Sequence, residues 1–216
     1  MTDRPEKRLR LPPGAPLPLG AAPGGILVLA PGEHEGALFV EAALRVEGEG
    51  HAPGVAPTAV IHAHGRGAAV HAAGDDCTLQ LVGLVLRGGR AELGAALCLD
   101  GAMRVEAEGC VFEAGRADQG GETVGGLRGA LHLRGCRLLG DALLTGIVDA
   151  TFEDCVVEGD LLLREGAGLT FVGGEVRGHI DLRGSTTRAP SLKLSGGAKA
   201  KVRNHAAQPG AVEEAP

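Results

Sequence analysis

Five segments of this chain align without a gap: LVGLVLRG (81–88), AEGCVFEA (107–114), LRGCRLLG (133–140), FEDCVVEG (152–159) and FVGGEVRG (171–178). They recur at spacings of 26, 26, 19 and 19 residues, and a weaker copy, LSGG, follows at 194–197. A repeat of that length cannot bury its own apolar face and must stack on its neighbours as a solenoid. The aligned positions are uniformly apolar. One column reads Leu81, Ala107, Leu133, Phe152, Phe171, another Leu86, Phe112, Leu138, Val157, Val176. Upstream, Leu79, Val105, Leu131, Ala150 and Leu169 form a further column. In the next strand, Ala142, Leu161 and Ile180 run beside Leu144, Leu163 and Leu182.

The type of solenoid follows from local patterning. No long window keeps a helical period, and glycine, with 37 copies, closes most apolar runs after four to eight residues. A leucine-rich repeat needs a fixed LxxLxL pattern and a helical return, whereas return segments such as GDALLTGIVDA are strand-like and bounded by glycine. The expected fold is all-β: a single-stranded right-handed parallel β-helix of about six to eight coils with loose termini. Residues 1–23 read as a Pro-rich basic leader, 24–203 as the β-helix domain and 204–216 as a flexible polar tail.

Residues 27–61, LVLAPGEHEGALFVEAALRVEGEGHAPGVAPTAVI, contain Pro31, Gly32, Glu35, Leu38, Val40, Leu44, Val46, Gly48, Gly50, Thr58 and Ile61 in the order of a strand, a Pro-Gly turn, two strands and a Gly-x-Gly. In this pattern the stretch resembles the first coil of the pectin-lyase-like superfamily of right-handed parallel β-helices, with His34 where an aromatic is usual. The resemblance covers about a sixth of the chain. It implies the fold, and it raises the activities of that group: lyases with an Arg or Lys base beside carboxylates that hold calcium, and hydrolases or esterases with paired Asp residues.

Composition argues against several of these functions. A formal net charge of −6 provides no footprint for a phosphate backbone or an anionic membrane surface, so neither nucleic acid nor membrane is an expected partner. Four Phe with no Trp or Tyr leave no stacking platform for a sugar. Asp75, Asp76, Asp100, Asp118, Asp141, Asp149, Asp154 and Asp160 are candidate carboxylates, and Arg87, Arg104 or Arg134 a candidate base. Yet one outward column reads Glu108, Arg134, Glu153 and another His62, Arg87, Glu113, Leu139, Glu158, Arg177. Coils about 4.8 Å apart turn such columns into surface ion-pair ladders, and that is the expected role of these charges. No catalytic residue is assigned.

Three side-chain groups remain. In VIHAHGRGAAVHAAGDD (60–76), Ile61 and Ala63 face inward, which puts His62 and His64 on one outer face with His71 on the next strand. Together with Asp75 these are candidate ligands for a first-row metal. The plainer reading is of solvent-facing strand residues, and no cofactor is expected. Cys110, Cys136 and Cys155 share a column with Leu84 and Gly174, so side-chain size governs the position. With Cys77 and Cys98 they form no zinc spacing and read as buried thiols in a reducing cytoplasm. The connection from Gly115 to Gly129 is the largest insertion and the expected neighbourhood of any ligand site.

The expected function is therefore a non-catalytic scaffold or binding module that engages a protein partner or self-associates through its open coil ends. Bactofilin-type cytoskeletal polymers are similar in architecture. The rival expectation is a protein that binds or modifies an acidic polysaccharide.

Overall fold

The computed structural model describes residues 8–18, 24–65, 67–184, 188–204 and 212–214. Short apolar alternations closed by turns form strands, and no helix occurs among the described residues. The strands stack in parallel as a β-solenoid of about eight turns. Each turn contributes to three ladders, here called faces.

Face 1 runs through Arg8–Leu11, Gly25–Leu29, Leu44–Gly48, Thr78–Val82 and Arg104–Glu108. It continues through the later parts of Val124–Arg134 and Ala142–Glu153, then Gly168–Val172, Ser191–Ser195 and Val212–Glu214. Face 2 comprises Gly32–Glu35, Ala59–His62, Leu84–Arg87, Val111–Glu113, Arg137–Leu139, Val156–Val157 and the first residues of Glu175–Arg183 and Lys199–Asn204. Face 3 begins with Leu38–Val40, Val70–Ala72 and Leu97–Leu99, uses the first residues of Val124–Arg134 and Ala142–Glu153, and continues through Leu161–Arg164 and the later parts of Glu175–Arg183 and Lys199–Asn204.

The inward columns pair as the repeat predicts. Leu79, Val105, Leu131, Ala150 and Leu169 stand in one ladder position, as do Leu81, Ala107, Leu133, Phe152 and Phe171, and all are buried. On face 2, Leu86, Phe112, Leu138, Val157 and Val176 follow the same rule. Each fully buried Leu or Phe contributes about 1.5–3 kcal/mol of transfer free energy, so the stacked columns are the chief source of stability.

Coil length varies while the inner columns do not. Short coils join Leu27 to Val46, Leu133 to Phe152 and Phe152 to Phe171 as ladder partners. Longer coils join Leu81 to Ala107 and Ala107 to Leu133 in the same way. The extra residues leave between faces 2 and 3, where Arg90–Ala91 and Arg116–Ala117 pair as a separate two-stranded parallel sheet. These insertions fold over the outer side of face 3. There Ala68, Leu93, Cys98 and Leu143 form a second small core, with Ala91 and Leu162 packed against it. Close approach needs glycine at one point: a Cβ on Gly125 stands 2.5 Å from both Gly94 N and Leu93 Cγ. The stretch from Gly115 to Gly129 is thus shorter as an insertion than expected, because Val124 begins the strand Val124–Arg134, which turns the corner from face 3 into face 1.

Strands of the leader and of the tail join the ladder at its two ends. Arg8–Leu11, in the leader, pairs with Ile26–Leu29 residue for residue, and Val212–Glu214, in the tail, pairs with Leu192–Leu194. The reason is local: Leu9 and Leu11 stand on Leu27 and Leu29, while Arg8 and Arg10 reach Glu47 and Glu49 across the intervening strand. After Leu11 the leader continues as part of the first coil, with the Gly14 N–H donating to Glu33 O at 3.0 Å and Leu17 buried in the core. Residues 1–7 and 19–23 of the leader and 205–211, 215 and 216 of the tail lie outside the described residues.

Candidate functional site

A strand faces the core with every second residue, so the outer columns are where chemistry has to sit. On face 1, Glu108 pairs with Arg134 and Arg134 with Glu153 in register, and Arg134 Nη2 lies 2.7 Å from Glu108 Oε2. On face 2, Arg87 bridges Glu113 and Glu33, at 2.6 Å to each, and Arg177 lies 2.6 Å from Glu158. These side chains are largely exposed, so each pair is worth about 0–1 kcal/mol. The charge columns are ladders.

Most of the candidate aspartates do structural work at the turns, while Asp149 lies within the strand Ala142–Glu153. Asp141 Oδ1 accepts from Asp160 N at 2.7 Å, and Asp160 Oδ1 accepts from His179 N at 2.8 Å, one coil further on. Asp75 Oδ1 accepts from Ala102 N at 3.1 Å. Asp76 and Asp154 hold left-handed turn positions, with φ of 51° each, a conformation that Asp tolerates better than most residues. Asp118 is paired to Arg90 and Arg116. Arg104 lies 3.6 Å from Glu106. The carboxylates are thus spread along corners, and each of these arginines is matched to a carboxylate beside it.

The hollow beside the insertion has a volume of about 370 Å³ and includes His71, Arg90, Glu92, Leu93, Cys98 and Gln119 in its lining. Gln119 Nε2 donates to Glu92 Oε1, closing part of its rim. No nucleophile there is activated. Burial, with Asp100 and Glu92 adding, pushes the Cys98 thiol up to about 11, and a protonated thiol is a poor nucleophile.

The thiol column is equally inert. Cys110, Cys136 and Cys155 are buried, free and stacked on successive coils, and each Sγ lies 3.3–3.5 Å from two backbone carbonyls. The thiol of Cys136 is pushed up first by its neighbour Cys110 and further by burial, and that of Cys155 first by Cys136 and then by burial. Burial and the carboxylates of Asp75 and Asp76 also raise Cys77.

Of the four candidate metal ligands, the structure brings two together. Ile61 and Ala63 are buried, so His62 and His64 share the outer side of face 2, their ring centroids 3.8 Å apart. His71 instead lies on face 3, edge-on to Phe39 at 5.0 Å, and Asp75 is engaged with Ala102 N. The physical reason is the corner between Gly65 and Val70, which sends the chain onto a different face before His71. The residue that joins the pair is Glu33, from the preceding coil: ligand atoms of Glu33, His62 and His64 all lie within 4.8 Å of one another. Glu35 Oε1 is 3.5 Å from His64 Nε2. The signal for Glu33 was present in the sequence. Placing His34 on Ile61 as inward partners puts Glu33 and Glu35 outward beside the histidines.

No helix among the described residues is long and apolar enough to cross a membrane. Comparison of the sequence with models of known protein families and with curated proteins finds no match to either.

Proposed function

We propose that this chain is a non-catalytic β-solenoid scaffold of the pectin-lyase-like kind, which associates end to end with further copies or with a protein partner. What carries this reading is a contrast of burial and charge. The ion pairs of the outer faces are matched within the chain, whereas Leu9, an inward position of the first coil, is 49% exposed although its ladder neighbour Leu27 is 1% exposed. A half-exposed core leucine beside a strand edge is a surface suited to association.

The geometry of the ends favours one face. Among the described residues, face 1 begins with Arg8–Leu11 and closes with Val212–Glu214, and Glu213 stands in register on Lys193. A second copy adding Arg8–Leu11 there continues the alternation of charge from Lys193 through Glu213 to an arginine. Elsewhere the ends are blunted. Pro12, Pro13, Pro16 and Pro18 in the first coil have no N–H to donate, and Lys199, Lys201 and Arg203 are exposed on the last described strand of faces 2 and 3. Contact through one face makes the association reversible and dependent on concentration. A reducing compartment such as the cytoplasm suits five free cysteines.

Negative-stain images at rising protein concentration are expected to show particles joined along the solenoid axis. Isolated short particles at every concentration contradict the reading. The rival reading, a binder or modifier of acidic polysaccharide, is tested with uronate-containing glycans with and without calcium. Neither retention nor unsaturated product is expected, and either one replaces the scaffold by the carbohydrate reading.

A further inference from the structure

We propose that Glu33, His62 and His64 form a binding site for a first-row divalent transition-metal ion, and that the ion staples two adjacent coils of face 2. This inference is independent of the scaffold reading. Imidazole nitrogen and carboxylate oxygen are the donor set of zinc and its neighbours rather than of calcium or magnesium, which take oxygen alone.

Four observations converge on the same spot. The three ligand atoms lie within 4.8 Å of one another, and ligands at ~2.1 Å from a tetrahedral ion stand ~3.4 Å apart, so closure takes side-chain rotation without backbone movement. His64 is held at φ 36°, a left-handed conformation uncommon for histidine, which keeps its ring over that of His62 at the coil corner. His62 Nδ1 is buried with no hydrogen-bond partner. Glu35, 3.5 Å from His64, offers a fourth ligand on the exposed side.

The surrounding charge favours a cation. Glu33 and Glu35 stand at the cluster against one guanidinium, Arg87, whose own charge Glu113 shares on the next strand. Arg87 Nη1 donates to Glu33 Oε1 at 2.6 Å, which orients the carboxylate and leaves Oε2 for the ion. Arg87 is itself engaged by Glu113, through Nε at 2.6 Å, which offsets its repulsion of the ion. Glu33 belongs to one coil and the histidines to the next, so an ion bound to all three cross-links neighbouring strands of a parallel ladder.

The test is isothermal titration of the untagged full chain with zinc chloride, paired with thermal melts at each zinc concentration. One ion per chain is expected, with a melting temperature that rises with free zinc as linkage requires. His62→Ala and His64→Ala are each expected to weaken binding about tenfold or more and to abolish the thermal shift, while His71→Ala leaves both unchanged. Because both histidines project outward, the metal-free variants should melt with the wild type, which separates lost binding from lost folding. Absence of saturable zinc binding, or undiminished binding by the double variant His62→Ala/His64→Ala, overturns the proposal.

Discussion

The long coils and the short coils of this solenoid are built on the same interior and differ only outside. Leu81, Ala107 and Leu133 span the long coils, Leu133, Phe152 and Phe171 the short ones, and all five are buried in one continuous column. The added residues of the long coils never enter that column. They cross between faces 2 and 3, pair with each other through Arg90–Ala91 and Arg116–Ala117, and cover Cys98 and Leu143 on the outer side of face 3. That cover reaches Leu143 on the first short coil and stops short of the next, so that Leu162 is half-buried where Leu143 is buried. Stacking fixes the inside of this solenoid, and variation in coil length is confined to its surface.

The largest test of that equivalence is to truncate a core phenylalanine in each kind of coil. Phe112→Ala in a long coil and Phe152→Ala in a short one are each expected to cost about 3–5 kcal/mol in denaturant unfolding, with no systematic difference between them. A much smaller loss at Phe112 would break the claim that both kinds of coil share one interior.

A second pair separates the outsides. Leu143→Ala, beneath the insertion, is expected to cost about 2–3 kcal/mol, and Leu162→Ala, at the next position in the same outer column, about half as much. Equal losses would mean that the insertion does not cover the face. A third variant works in the opposite direction, by overpacking. Gly125 shares that column with Leu143 but lies against Gly94 and Leu93, so Gly125→Ala is expected to cost about 1–3 kcal/mol by lifting the insertion.

The smallest effect concerns the ladders that both kinds of coil carry. The Glu158 carboxyl is held below its ordinary value, first by its bond to Arg177 and then by Arg137, against a desolvation effect that raises it. A carboxyl lowered in the folded state adds stability above its unfolded value and loses it as pH falls through the folded one. Glu158→Gln is therefore expected to flatten slightly the acid limb of a stability–pH curve and to leave stability near neutrality almost unchanged, because the pair is exposed.

These contrasts also explain what the sequence made legible. Inner columns can be read because like side chains stack on like, from Leu79 to Leu169 without interruption. The strand beginning at Val124 cannot, because its next two residues are glycines, which carry no strand signal, and the first of them is needed where Gly94 and Leu93 press close. Arg8–Leu11 is hidden for a different reason: four residues are too few to show a period, and its partners Glu47 and Glu49 lie two strands away. Around His62, parity places His62 and His64 side by side, but it cannot show that the corner after Gly65 carries His71 onto another face. Proximity along the chain is a poor guide at such a corner, and the ladder brings Glu33, from the coil below, to the histidines instead.

The proposed association runs through the coil ends. Sedimentation velocity over a wide concentration series, comparing the wild type with Leu9→Glu, tests that most directly. The expected result is a weight-average sedimentation coefficient that climbs with concentration in the wild type and stays flat in Leu9→Glu, with both proteins showing the same β-rich circular dichroism. A wild type that sediments as a monomer throughout, or a Leu9→Glu variant that associates as well as the wild type, contradicts it.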